Sequence, residues 1–148
     1  ATHLRLEITE TASMQDAARD MANLDELAAL GVSISIDDYG TGNATLEYLR
    51  AIPVGEIKID RQFVTGLAAS SRDQVLIKST IALSHALGHM VTAEGVEDAD
   101  SLALLRNLRC DRAQGYYIAR PAPLEKLAEI LMRQHDAENG KKSSLAFG

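Results

Sequence analysis

Val32, Ile34 and Ile36 alternate with Ser33, Ser35 and Asp37 along one short stretch of the chain. A repeat of two is that of a β-strand with one apolar and one polar face. The same alternation sets Leu4, Leu6 and Ile8 against Arg5, Glu7 and Thr9, and it places Ile57 and Ile59 opposite Lys58 within a third strand expected from Glu56 to Asp60. A fourth strand is expected from Met90 to Gly95 and a fifth from Arg112 to Ala119. Between them the repeat changes to that of a helix. Met14, Ala17, Ala18, Met21, Leu24, Leu27 and Ala28 recur at helical spacing up to a stop at Gly31. A short helix is expected from Ala44 to Ile52, closed by Pro53. Asp73 is a candidate cap for a long helix running to Leu87 before Gly88. Ser101 to Leu108 reads as a further helix, whose Leu102, Leu104, Leu105 and Leu108 are expected in the core. Pro121 and Pro123 precede a final helix from Leu124 to about Gln134. Beyond His135 the chain is polar, and residues 135–148 are expected to form a disordered tail after a domain spanning 1–134.

Strands that alternate with helices predict parallel βαβ units, hence an α/β fold. Four strands carry Glu7, Asp37, Lys58 or Glu94 on the polar face at or near the end. In a (β/α)8 barrel that end is the rim where chemistry is placed. Asp37 and Asp38 are neighbours, and on a straight strand they would point to opposite faces. The two reach one site only if the backbone bends, which Gly40 and Gly42 permit. Two carboxylates at a strand end are suited to a divalent cation.

Charge narrows the choice of partner. A net charge of -6 without a Lys/Arg cluster argues against a DNA or RNA polymer or an anionic membrane surface. Cys110 is the only cysteine, so no internal disulfide forms; a reducing compartment is expected, with the thiol acting as a small buried hydrophobe. No apolar run approaches membrane-spanning length. Other candidate sites are weaker. His85 and His89 have the spacing of zinc ligands, but Gly88 is expected to end the helix between them, leaving structural or surface roles. Gly40-Thr41-Gly42 lacks the Gly-Lys-Ser/Thr ending of a phosphate-binding loop. Tyr116 and Tyr117 could stack on a nucleotide base, although one of them is expected to pack in the core.

Five segments taken in order resemble the successive motifs of EAL domains: Leu6-Glu7-Ile8-Thr9-Glu10, Asp37 to Gly42, Lys58 to Val64, Thr92 to Glu97, and Gln114 to Pro121. Those domains are bacterial cyclic di-GMP phosphodiesterases built on a modified (β/α)8 TIM barrel. The resemblance implies about five of the barrel's parallel strands with intervening helices, the N-terminal strands being absent. It implies metal ligands at Glu7, Asp37 and Asp38 for a pair of Mg2+ or Mn2+ ions, and a water-contacting lysine at Lys58. Glu94 matches the glutamate that serves as general base or orients the water, Glu97 and Gln114 match residues around the site, and Glu10 matches the glutamate that steadies the loop after the aspartates. The expected activity of the parent domain is hydrolysis of cyclic di-GMP to linear pGpG in the bacterial cytoplasm.

Departures from the family pattern qualify that expectation. The Glu-Ala-Leu motif, its arginine and a later ligand asparagine have no counterpart here, and Gly42-Asn43-Ala44-Thr45-Leu46 stands where the family usually has Gly-Tyr-Ser-Ser-Leu. The chain opens on Ala1 and runs straight into a strand pattern, so it is expected to begin inside a larger protein, with a membrane anchor elsewhere in that protein left open. Alone it is expected to be inactive. Open sheet edges call for a cover, either the missing half-barrel or a second copy in a homodimer or swapped assembly. The competing reading is a degenerate EAL-like module that binds cyclic di-GMP or a protein without hydrolysis.

Overall fold

The computed structural model describes residues 4–10, 17–42, 45–126 and 132. The elements run β1 (Arg5–Thr9), α1 (Ala17–Ala29), β2 (Ser33–Tyr39), α2 (Leu46–Ala51), β3 (Glu56–Ile59), α3 (Arg61–Val64), a single 3-10 turn (Leu67–Ala69), α4 (Ser71–Ala86), β4 (Met90–Ala93), α5 (Ala99–Asn107) and β5 (Arg112–Ala113). All strand pairings are parallel and the order is β1-β2-β3-β4-β5. A sheet that adds each new strand on the same side, with a crossover between strands, is part of a singly wound barrel; a doubly wound sheet reverses its order.

The two faces of this sheet differ in chemistry. Ile34, Ile36, Ile57, Ile59, Val91 and Ala93 point outward and are buried with Leu24, Leu49, Leu67, Ile77, Ile81 and Leu105. Burying a large aliphatic side chain contributes roughly 1.5–3 kcal/mol, so this apolar layer is the main source of stability. The inner face carries Ser35, Glu56, Lys58 and Thr92, all buried and all polar.

Helix ends follow local chemistry, with two corrections. Gly31 and Gly88 close α1 and α4 in left-handed conformations, at φ 81° and 86°. The cap of α4 is Ser70 rather than Asp73: the Ser70 hydroxyl accepts from the Asp73 amide at 3.3 Å, so the helix starts earlier and Asp73 sits in its first turn. Asp98 caps α5 in the same way, accepting from the Ser101 amide at 2.7 Å, which brings the start of that helix forward to Ala99. Of the expected core leucines in α5, Leu105 is buried, whereas Leu102, Leu104 and Leu108 pack against the core partly exposed.

The fifth strand is much shorter than expected. It ends at Ala113, and residues 114–119 turn back, with Ile118 and Ala119 donating to the Gly115 carbonyl at 3.0 and 3.1 Å. Tyr116 and Tyr117 are both exposed, so neither is a core residue. The Arg120 guanidinium lies over the Tyr116 ring, 4.3 Å from its centre. A last helix begins at 124–126; its continuation to Gln134, the tail 135–148, and the expected helix starts at Met14 and Ala44 lie outside the described residues.

His85 and His89 each have a structural partner. His89 is buried, with Nδ1 2.9 Å from the Val54 carbonyl, and His85 Nε2 lies 2.8 Å from Asp111, which also accepts from the Val91 amide. Cys110 is part-buried and donates to the Arg112 carbonyl; burial pushes its thiol pKa up to about 11, so it is an unreactive packing residue. No described helix is long and apolar enough to cross a membrane.

Candidate active site

The rim forms where β2 breaks its own pattern. Ile36 pairs with Ile57 and Tyr39 with Ile59, so three residue steps of β2 span two of β3. That extra residue is a bulge, and it is absorbed at Asp38, whose φ is 54°. Aspartate tolerates the left-handed region better than most residues. The bend expected from Gly40 and Gly42 is therefore made at the second aspartate itself. Its consequence is that Asp37 and Asp38 fall on one side of the sheet.

Asp37, Asp38 and Glu94 each bring a carboxylate oxygen within 4.8 Å of the others. Lys58 stands behind them, almost fully buried. Its Nζ lies 3.0 Å from Glu7 Oε1, 3.0 Å from Asp37 Oδ1 and 2.8 Å from Glu94 Oε1. One ammonium on β3 thereby gathers carboxylates from β1, β2 and the end of β4. Burial works to lower the lysine's pKa, but the bonds to Glu94, Asp37 and Glu7 outweigh it and hold the group charged, well above the usual range. Glu7 meets the cluster through this lysine and is not among the three oxygens that converge. Asp38 has its pKa raised by burial first, then by the Asp37 charge and by a hydrogen bond with Asp60. A carboxylate strained by like charges is one that a divalent cation relieves, so this donor set of hard oxygens fits such an ion.

The loop after the aspartates is held from beneath. Glu10 is 3% exposed, and its Oε2 accepts from the Gly40 amide at 3.0 Å and the Gly42 amide at 2.9 Å. A Cβ on Gly40, where φ is 103°, would meet the Phe63 ring at 2.7 Å. The left-handed φ favours glycine there, and the Phe63 ring would have to shift for any side chain.

Backbone hydrogen bonds join the end of β4 to the segment that follows β5. Gln114 N donates to the Ala93 carbonyl at 2.8 Å, Val96 N donates to the Gln114 carbonyl at 3.0 Å, and Tyr117 N donates to the Val96 carbonyl at 3.0 Å. Gly95 takes φ 72° with Arg61 against it. Arg61, Glu94, Glu97, Gln114 and Tyr116 line a cleft of about 200 Å³ beside the carboxylates. Glu97 and Gln114 thus line the same cleft as Glu94. Asp60, Arg61 and Gly115 were not foreseen; Asp60 stands two residues after Lys58, and the strand repeat would have placed it on the same face.

The family model for the EAL domain matches residues 1–121 of this sequence. The chain belongs to the EAL domain family. The cyclic di-GMP phosphodiesterase NbdA of Pseudomonas aeruginosa is 44% identical over 88% of this chain and 17% of its own length. Among solved structures, the phosphodiesterase PaMucR in complex with c-di-GMP is 43% identical, with a TM-score of 0.81 over 85% of this chain and 51% of that one. BlrP1 of Klebsiella pneumoniae, solved with manganese and cyclic di-GMP, is 29% identical, with a TM-score of 0.74 over 80% of this chain and 30% of that one. This EAL sequence therefore spans about half of the solved PaMucR chain and under a fifth of NbdA.

Proposed function

We propose that the protein carrying this chain hydrolyses cyclic di-GMP to the linear dinucleotide, using divalent metal ions at the rim of its EAL barrel. The observation that carries this reading is the convergence of Asp37, Asp38 and Glu94 within 4.8 Å, backed by a buried lysine. Kinship with phosphodiesterases at 43–44% identity supports the substrate.

Asp37, Asp38 and Glu94 would hold one ion, and Glu7, across Lys58, would help hold a second, with Mg2+ or Mn2+ as candidates. Such ions lower the pKa of a bound water and neutralise the negative phosphodiester. Lys58, kept charged, orients the carboxylates and contacts the attacking water. Glu94 accepts a proton from that water or aligns it, Glu97 and Gln114 support the cleft, and Glu10 holds the loop that carries Asp38 in place. Among the described residues β1 and β5 are open edges of the sheet; the rest of the barrel is the cover favoured by the longer relatives, and a second copy is the alternative, which sedimentation of the intact protein would reveal. A nucleotide substrate and a lone reduced cysteine support a cytoplasmic location.

The test is turnover of cyclic di-GMP by the intact protein with Mn2+, beside Asp38→Asn and Glu94→Gln. Loss of about 100-fold or more in either variant is expected, the range for removal of a group acting in proton transfer or metal binding. Tight binding without turnover in the unmodified protein would replace this reading with that of a nucleotide-binding module.

A further inference from the structure

One layer below the rim, toward the N-terminal ends of the strands, a second set of polar groups crosses the inner face. Glu56 is at its centre and is 3% exposed. Its Oε2 is paired with Arg5 on β1, and its Oε1 accepts from the Thr92 hydroxyl on β4 and from Arg112 on β5, the last at 3.2 Å. One side chain therefore ties three other strands to β3. Each member stands two residues before a rim group on its own strand: Arg5 before Glu7, Glu56 before Lys58, Thr92 before Glu94, and Arg112 before Gln114. On β2 the corresponding pair is Ser35 and Asp37, with the Ser35 hydroxyl donating to the Leu6 carbonyl at 3.4 Å.

The two layers are inverse in charge. Above, a cation gathers three carboxylates; below, a carboxylate gathers two guanidinium groups. At about 3.3 Å per residue they lie roughly 6.6 Å apart, too far to bond directly. They are joined by short, straight segments of backbone. Barrel interiors are ordinarily filled with branched apolar side chains. A buried ion cluster costs desolvation and is a weak stabiliser, so stability alone does not account for it. What it supplies is geometry, because each contact has a fixed length and direction.

We propose that Glu56 is a positioning residue for the metal site: it sets the spacing of β1, β3, β4 and β5, and through them the separation of Glu7, Lys58, Glu94 and Gln114. This rests on the reading that the rim holds a divalent ion. Partners that orient metal ligands typically control about 10–100-fold in affinity. Glu56 acts at one remove, so the low end applies.

The experiment is a titration of Mn2+ alone, followed by electron paramagnetic resonance, into the intact protein and its Glu56→Gln, Arg112→Met and Asp38→Asn forms. Circular dichroism confirms that each is folded. Glu56→Gln keeps the side chain's shape and its acceptor for Thr92 but removes both ion pairs. It is expected to raise the Kd for Mn2+ about tenfold. Arg112→Met, which removes one half-exposed arm, is expected to raise it about threefold and carries the test if Glu56→Gln does not fold. A folded variant whose Kd stays within twofold of the native value, while Asp38→Asn loses the ion, overturns the proposal alone. If Asp38→Asn also binds like the native protein, the rim does not hold the ion, and the site reading and this proposal fall together.

Discussion

Gly115 is the position where the smallest chemical change should have the largest effect. A Cβ there would lie 2.1 Å from the Val96 carbonyl oxygen and 2.2 Å from the Val96 nitrogen. Neither atom belongs to a flexible side chain, and Val96 is fully buried. Gly115 has no left-handed φ, so the cost of Gly115→Ala is steric rather than conformational. Forcing one extra carbon into a packed core costs about 1–3 kcal/mol, and rigid backbone puts this case at the upper end. Moving the two segments apart also strains the Val96–Gln114 and Tyr117–Val96 hydrogen bonds, at about 1 kcal/mol each. The sum is roughly 3–5 kcal/mol, or a fall in Tm of about 10 °C for a domain of this size. Gly55 is the matched control: nothing lies within 4 Å of its Cβ position, and Gly55→Ala should leave stability unchanged or raise it by up to about 1 kcal/mol. Thermal unfolding followed by circular dichroism compares the two directly. If Gly115→Ala melts within about 2 °C of the native protein, the close approach of these two segments is not what locks β4 to β5.

Lys58→Met removes the only cation among the described residues that contacts Glu7, Asp37 and Glu94, and with it the ammonium that competes with a metal for them. Mn2+ binding should be as tight or tighter while turnover falls about 100-fold or more; a matched loss of both would reduce Lys58 to a scaffold. Asp111→Asn tests a structural carboxylate. Burial works to raise Asp111, but His85 and the Val91 amide outweigh it and hold its pKa below the ordinary 3.8. A depressed folded pKa gives stability that is present above 3.8 and is lost as pH falls through the folded value. The variant should therefore unfold at lower urea than the native protein near neutral pH, with the difference closing as pH drops below 3.8; a difference that widens in acid would refute the assignment.

Alternation at Val32–Asp37, at Leu4–Thr9 and around Lys58 was enough to predict strands with one polar face, because a strand's repeat of two depends only on its own backbone, and the helices between them predicted that those strands run parallel. The glycines that end α1 and α4 were legible for a similar reason: the left-handed turn they make is local. Other features depended on contacts between distant segments. Asp37 and Asp38 share a site because β2 bulges against β3, which no count along β2 alone predicts. The fifth strand stops after Ala113 because Gly115 must meet the backbone of Val96, some twenty residues earlier in the chain. Alternation with Ile57 puts Glu56 on the polar face of β3, yet it is buried, since Arg5 and Arg112 reach it from opposite edges of the sheet. Local periodicity therefore determined which elements form and which residues face the rim; tertiary packing decided which of those residues touch, because those distances are set by the pairing of strands and not by any one strand.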